Sequence, residues 1–272
     1  MSEARPFLRW VGGKKRLAGV LGGFVPSVER DGRYFEPFFG AGSLFFCLRP
    51  PRAVIGDSNR ELIACLRRVR NRPDLVWRHL RPCLALRGER AYIHARSLFN
   101  RLSDSYQRAA LFIYLNKSCF NGIWRVNKNG LFNVPYGHKD GVAFPSLNDL
   151  AEVSRAFRRA KIRVGDFAQT VSDAGRGDFV YLDPPYPPLN GTAFFCHYTK
   201  ERFNRNDHAR VAEVFRLLTS RGCNVLLSYA DVPLVRELYK GCRTIEVSTQ
   251  RYVASHGRRY EVSDLAIMNY TP

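Results

Sequence analysis

The stretch VYLDPPYPPLN, residues 180 to 190, sets an acid, two prolines and an aromatic directly behind an apolar run. The run Phe179 to Leu182 is short and β-prone, and Pro184 and Pro185, which lack N–H groups, cannot continue a ladder. Asp183 is therefore expected where a strand ends, at the edge where open α/β sheets bind their ligands. The prolines would hold the following backbone rigid with a carbonyl free to accept, and Tyr186 adds a flat π surface. An acceptor carboxylate, a fixed carbonyl and an aromatic plane suit a planar heterocycle that carries an exocyclic amino group. A proline turn closing an ordinary strand would use the same residue types.

A second constellation lies in RYFEPFFGAGSLFF. A strand is expected to end at Glu36-Pro37, the chain passes Phe38 and turns through Gly40-Ala41-Gly42, and Ser43 is placed to cap a helix. The two glycines permit close backbone approach to a ligand. The third glycine of a dinucleotide fingerprint is absent, as is a Walker lysine. An acid before the turn would repel a pyrophosphate and favour a positively charged ligand. AVIGD ends on Asp57, suited to accept hydrogen bonds from ribose hydroxyls, and KIRVGDF supplies Asp166 at another strand end. Singly, each acid could be a turn residue or a helix cap. Jointly they match a nucleoside with a cationic, phosphate-free tail, which describes S-adenosyl-L-methionine.

These residues need a sheet to position them. Short strands with turn signals recur at 34–37, 53–56, 161–164, 179–182, 224–228 and 244–247. A helix fits 206–219, where Val211, Val214, Phe215 and Leu218 share a face. Strands alternating with helices predict an α/β fold with a doubly wound, largely parallel sheet. Between about residues 60 and 145 the pattern changes to consecutive Arg-rich helices, including RELIACLRRVRNR and ERAYIHARSLFNRL, which reads as an insertion. Any one Arg run fits a solvated helix face; their concentration in one insert points to a basic binding lobe. There is no internal repeat or low-complexity segment.

With 272 residues, 45% hydrophobic and 13% aromatic, the chain can bury a sizeable core. Lys and Arg number 43 against 24 Asp and Glu, a formal charge of +19 that favours a polyanionic partner, nucleic acid first. The start, MSEARPFLRW, has no signal-peptide core, and no segment approaches 18 uninterrupted apolar residues, so a soluble cytoplasmic protein without membrane association is expected. The seven cysteines are widely spaced without a CxxC pair, which predicts neither a disulfide framework nor a metal site.

The segments FLRWVGGKKRL, FEPFFGAGS, YLNKSCFNGIWRVNKNGLFNVPYG and YLDPPYPPL, in that order, make the chain resemble the Dam-type N6-adenine DNA methyltransferases (D12 class, alpha group) over nearly its entire length. The resemblance implies a Rossmann-like catalytic domain formed by residues 1–59 and 146–272, with a target-recognition domain at 60–145. It implies that Trp10, Lys14, Glu36, Pro37, Phe38, Gly40, Ala41, Gly42, Ser43, Asp57, Asp166, Phe167 and Asp183 surround S-adenosyl-L-methionine, which leaves as S-adenosyl-L-homocysteine. Asp183, Pro184, Pro185 and Tyr186 form the DPPY motif that holds the target adenine, extruded from the duplex because a stacked N6 cannot reach a buried methyl donor.

For the nucleic acid, IWRVNKNGLFNV alternates around Asn129-Gly130, a two-residue hairpin signal. Arg125 on its first arm can grip guanine O6 and N7; a phosphate clamp is its plainer role. By resemblance Arg9 also faces a guanine, where relatives often carry lysine. Phe120-Asn121 corresponds to a pair that relatives insert into the base stack, usually with tyrosine. Ile123 and Pro135 match apolar positions suited to a thymine methyl, and Asn116, Gly122, Asn133 and Lys139 complete the expected DNA-binding set. GATC in double-stranded DNA is the expected target, with Lys139 and His256 bearing on flanking preference. A monomer is expected, and the resemblance allows a companion restriction endonuclease. Three alternatives compete: an RNA or protein-amide methyltransferase, which would not need the hairpin; a cytosine-N4 enzyme, which usually carries serine at the motif's first position; and a non-catalytic DNA-binding protein, which should have lost cofactor acids.

Overall fold

The computed structural model describes residues 3–14, 16–26, 32–139, 141–187, 203–252 and 259–272. Helix α1 (Ala18–Gly23) precedes strand β1 (Tyr34–Glu36), helix α2 (Ser43–Leu48) and strand β2 (Ala53–Asp57). Four helices follow: α3 (Arg60–Asn71), α4 (Pro73–Cys83), α5 (Gly88–Arg101) and α6 (Tyr106–Ser118). After a 3-10 turn at Phe120–Gly122 come α7 (Leu147–Phe157), β3 (Ala160–Val164), α8 (Phe167–Thr170) and β4 (Phe179–Leu182). The chain ends with α9 (Arg205–Ser220), β5 (Asn224–Ala230), α10 (Pro233–Leu238), β6 (Arg243–Tyr252) and β7 (Arg259–Met268).

The strands form one seven-stranded sheet in the order β3-β2-β1-β4-β5-β7-β6. The first five are mutually parallel, and β7 enters antiparallel between β5 and β6. Parallel strands buried on both faces read as near-continuous apolar runs, and the period of two then sends neighbours to opposite cores. Tyr34, Ala53, Ile55, Phe179, Tyr181 and Leu226 join a core with α2, α3, α6 and α7. Phe35, Val54, Val180, Leu182, Val225 and Leu227 join a second core with α9 and α10. The result is the Rossmann-like three-layer α/β arrangement, with helices on both faces.

Local chemistry sets several helix starts. Asn59 caps α3 by accepting from the N–H groups of Glu61 and Leu62, and capping boxes, Ser146 with Asp149 and Asn204 with Asp207, open α7 and α9. Ser43 departs from its expected role: the N-cap of α2 is Gly42, in the left-handed region at φ 68°, and Ser43 is the first helical residue. Strand β7 had no counterpart in the sequence reading. Among the described residues no helix is long and apolar enough to cross a membrane.

The helices after β2 are not detached from the sheet. Leu62, Ile63, Leu66 and Val69 of α3, Val76 and Leu80 of α4, Tyr92 and Phe99 of α5 and most of α6 share one apolar cluster with Ile55 and Phe179. Trp124, Phe132 and Val134, from the segment after α6, complete it.

Candidate active site and nucleic-acid interface

Because β3, β2, β1 and β4 run parallel in register, their carboxyl ends share one edge. That edge collects Glu36, the last residue of β1, Asp57, the last of β2, Asp183, directly after β4, and Asp166, two residues beyond β3. Asp57 accepts from Gly40 N–H at 3.0 Å and from Asn59 N–H at 2.8 Å, so it ties the β1–α2 turn to β2. Burial pushes its carboxyl up to about 6 against the pull of those two N–H groups. Glu36 is 2% exposed and accepts from the Tyr34 hydroxyl at 2.8 Å. Burial raises its carboxyl well above the usual carboxylate range; the Tyr34 hydrogen bond opposes this and the Asp183 charge adds to it.

Gly40 explains the glycine turn. A Cβ there would lie 2.7 Å from the Trp10 indole, and its φ is +48°, so the ring rests directly on bare backbone. Trp10 and the turn thus form one wall. Phe38 and Phe167 stack at 5.1 Å between centroids and form another, with Phe203 edge-on to Phe38. Pro37, Gly40 and Gly42 are buried, and Ala41 and Ser43 half-buried. Asp166 caps α8 through Ala168 N–H at 2.9 Å, and both its oxygens lie 3.0 Å from Arg210 Nη2. The same guanidinium lies over the Phe167 ring at 4.9 Å.

Lys14, expected among the cofactor residues, pairs with Asp183 of the DPPY motif, which was expected in the same set. Its ammonium, 7% exposed, lies 2.7 Å from Asp183 Oδ1, 2.9 Å from the Gly12 carbonyl and 4.5 Å from the Tyr186 ring centroid. Burial penalises the charge, but Asp183 and Tyr186 outweigh it and hold Lys14 above the ordinary lysine value. Tyr186 is anchored at its far end, where its hydroxyl donates to Asp264 Oδ2 at 3.0 Å and lies 3.2 Å from Ser228 Oγ. Pro184 is buried and Pro185 half-buried between these anchors. Asp264, Ser228 and Arg210, which hold Tyr186 and Asp166, were not singled out from the sequence. A signal for Asp264 was there, an acid inside the apolar run SDLAIM.

Of the expected DNA-contacting residues, Arg9, Phe120, Asn121, Gly122, Ile123 and Pro135 are brought together around the 3-10 turn. A Cβ on Gly122 would lie 2.7 Å from Arg9 Cβ, so the 3-10 turn is laid on the Arg9 stem. Phe120 is 49% exposed and Asn121 takes φ 52°, a left-handed value that asparagine tolerates. Phe120 N–H donates to the Pro135 carbonyl, and a bridge pairs Cys119 with Tyr136. Ile123 is half-buried, and Pro135 and Lys139 are exposed. His256 lies outside the described residues. Asn116 corrects the expectation made of it: fully buried, it cannot touch DNA. Its amide accepts Arg9 N–H at 2.8 Å and donates to Arg9 C=O at 2.7 Å, so it serves that cluster by placing Arg9.

The hairpin also differs from its expected form. A two-residue turn on Asn129-Gly130 needs positive φ at both residues. Among the described residues, positive φ outside glycine occurs only at Arg49, Asn121 and His138, while Gly130 has φ +76°. Gly130 N–H donates to Asn127 C=O and Asn127 N–H to Leu131 C=O, giving a three-residue loop of residues 128–130 that ends in a left-handed glycine. Asn127 stabilises it by accepting Asn129 N–H and Leu131 N–H on its side chain, each at 3.0 Å. Trp124, 2% exposed, stacks on Phe132 at 4.6 Å and roots the arms in the core. Arg125 is exposed, with Nε donating to Asn133 Oδ1 at 2.9 Å and Nη2 to the Asn133 carbonyl at 3.3 Å.

Fold and site together define a Rossmann-like methyltransferase. The chain belongs to the D12 class N6 adenine-specific DNA methyltransferases, whose family model matches residues 10–253. It is 37% identical to Type II methyltransferase M.MjaIII of Methanocaldococcus jannaschii, over 98% of this chain and 100% of that one. It is 35% identical to Type II methyltransferase M1.LlaDCHI of Lactococcus lactis subsp. cremoris, over 98% and 95%. It is 33% identical to the DNA adenine methylase of Escherichia coli strain K12, over 100% and 97%. The protein is thus an adenine-specific DNA methyltransferase, a family membership that implies S-adenosylmethionine as methyl donor and DNA as substrate.

Proposed function

We propose that the protein methylates N6 of an adenine extruded from double-stranded DNA, within GATC, and that Asp183, Pro184, Pro185 and Tyr186 hold the extruded base. The Lys14 ammonium carries this reading: an N–H donor nitrogen sits 2.7 Å from Asp183 Oδ1 and 4.5 Å from the Tyr186 ring centroid. An adenine amino nitrogen is likewise an N–H donor attached to a group that favours an aromatic face. Its arrival at Asp183 would displace Lys14.

The residues present fit the cofactor. Glu36, Asp57 and Asp183 share one sheet edge; burial raises the Glu36 and Asp57 carboxyls, and the charges of Asp183 and Asp57 add to the rise at Glu36. A cationic ligand offsets that rise. The close Gly40–Trp10 approach and the Phe38–Phe167 pair supply flat apolar walls suited to a nucleoside. Glu36, Asp57, Asp166, Trp10 and Phe167 would hold it, with Asp57 accepting from ribose hydroxyls. When bound, S-adenosylmethionine supplies an electrophilic methyl group on a sulfonium.

The chain's own part is positioning and electrostatics. Adenine N6 is a weak nucleophile because its lone pair is delocalised into the ring. Asp183 accepting one N–H, and a motif carbonyl the other, lets the nitrogen pyramidalise and frees that lone pair. Tyr186, pinned by Asp264 and Ser228, keeps the base plane fixed. Extrusion costs a few kcal/mol, which stacking in this pocket recovers in part.

Residues 60–145, together with Arg9 from the N-terminal segment, supply the reading surface, with Arg9 and Arg125 for guanines, Phe120-Asn121 for the gap left in the stack, and Ile123 and Pro135 for thymine methyls. The type II names of two relatives favour a companion restriction endonuclease, and a monomer acting on cytoplasmic DNA fits the rest. Sequencing of methylated positions in DNA from cells expressing the protein tests the reading. N6-methyladenine confined to GATC is expected; methylation at another sequence would overturn the specificity.

A further inference from the structure

Among the described residues, the outer arm of the hairpin, Phe132 to Val134, has no strand on the side away from the first arm. Val126 and Phe132 form an isolated antiparallel bridge flanked by Asn127 N–H to Leu131 C=O and Asn133 N–H to Arg125 C=O. In that pattern Phe132 and Val134 turn their own main-chain groups away from the first arm. Such groups near a core must find partners.

Helix α5 provides them. Asn100 Nδ2 donates to Phe132 C=O at 3.0 Å, and its Oδ1 accepts Phe132 N–H at 2.9 Å. The Tyr92 hydroxyl and Arg96 Nη1 donate to Val134 C=O at 2.8 and 3.1 Å. Residues 92, 96 and 100 fall at i, i+4 and i+8, one stripe of the helix. A side-chain amide offers one acceptor and one donor side, as a peptide unit does, so Asn100 stands in for a third strand. A lone two-stranded hairpin is marginal in water, and this clamp fixes its register. The residue after Phe132 is Asn133, which receives the Arg125 guanidinium.

We propose that Asn100 is a specificity-determining positioning residue, which locks the outer hairpin arm so that Asn133 holds the Arg125 fork in register for a guanine edge. This rests on the reading that Arg125 contacts a base. Asn100 itself touches no DNA.

The test compares kcat/KM on a duplex carrying the sequence mapped as methylated with kcat/KM on duplexes changed at one guanine. The proteins are wild type, Arg125→Ala, Asn100→Leu, Asn100→Asp and Asn100→Leu combined with Arg125→Ala. Arg125→Ala should narrow the ratio roughly 5- to 150-fold, the value of one bidentate base contact. Each Asn100 variant should narrow it about 5-fold or more, with calorimetric cofactor affinity unchanged, and Asn100→Leu should add nothing in the Arg125→Ala background. If Arg125→Ala leaves the ratio unchanged, base reading by Arg125 falls, and the proposal with it. If Arg125→Ala narrows the ratio and the folded Asn100 variants do not, the base reading stands and the positioning role is overturned. In the wild type, the Phe132 amide should exchange its hydrogen slowly although no strand pairs with it. Fast exchange overturns the clamp even if no Asn100 variant folds.

Discussion

Burial pushes the Asp57 carboxyl up to about 6 while Gly40 and Asn59 hold it in place, so its charge responds to mild acid. The folded value lies above the unfolded 3.8, so the stability Asp57 contributes is fully present below 3.8 and is lost as pH rises through about 6. On the proposal that Asp57 accepts from the ribose hydroxyls in its ionised form, cofactor affinity should move the opposite way and weaken as pH falls through about 6. Calorimetric titration from acid to neutral pH would show the slope in wild type, and Asp57→Asn should bind weakly with that slope flattened. A flat wild-type profile would contradict the role. Lys14 makes a second prediction at this scale. Removing one partner of a buried ion pair costs ~3–5 kcal/mol, and Asp183 keeps 18% side-chain exposure, so Lys14→Met should destabilise toward the lower end. Denaturant melts of the protein without DNA measure it; an unchanged midpoint would show that the pair contributes nothing.

Elements were legible where apolar runs decide them. Strands β1 to β5 and helix α9 lie within one or two residues of their expected places, because turn residues bound each run. Strand β7 was missed because Asp264 interrupts its run, and only the fold reveals that the acid has a partner in the Tyr186 hydroxyl. The Asn129-Gly130 signal located the hairpin but not its turn: Asn127 captures two N–H groups on its side chain and favours the longer loop. The hairpin stands on Trp124, packed between Phe112 at 4.5 Å and Phe132 at 4.6 Å. Trp124→Ala should cost ~3–5 kcal/mol and erode target discrimination more than cofactor affinity. Denaturant melts beside kcat/KM ratios on cognate and altered duplexes check this, and intact discrimination would separate the hairpin from specificity.

Across the whole molecule, composition pointed to the partner: a formal charge of +19 on a chain with ordinary apolar content leaves a polyanion as the natural ligand. Contacts between distant residues were not legible. Lys14 meets Asp183 across 169 positions, and Arg210 meets Asp166 across 44. Nothing in local spacing foretells either, because parallel crossover connections bring them together. The charge carries its own prediction. If roughly six to ten phosphates are neutralised, DNA affinity should fall about 10³- to 10⁵-fold between about 50 and 200 mM salt, while cofactor affinity changes little. Fluorescence anisotropy with labelled duplex measures the slope, and a shallow one would mean that the basic surface does not track the backbone. The central claim is that Asp183 orients the adenine amino group and is dispensable for binding. It is tested most directly by transfer of labelled methyl from S-adenosylmethionine to a GATC duplex by wild type and Asp183→Ala, with DNA affinity measured on the same preparations. Wild type should place the label on adenine N6, and Asp183→Ala should bind DNA with near wild-type affinity and transfer none. Substantial transfer by a folded Asp183→Ala protein would contradict the account.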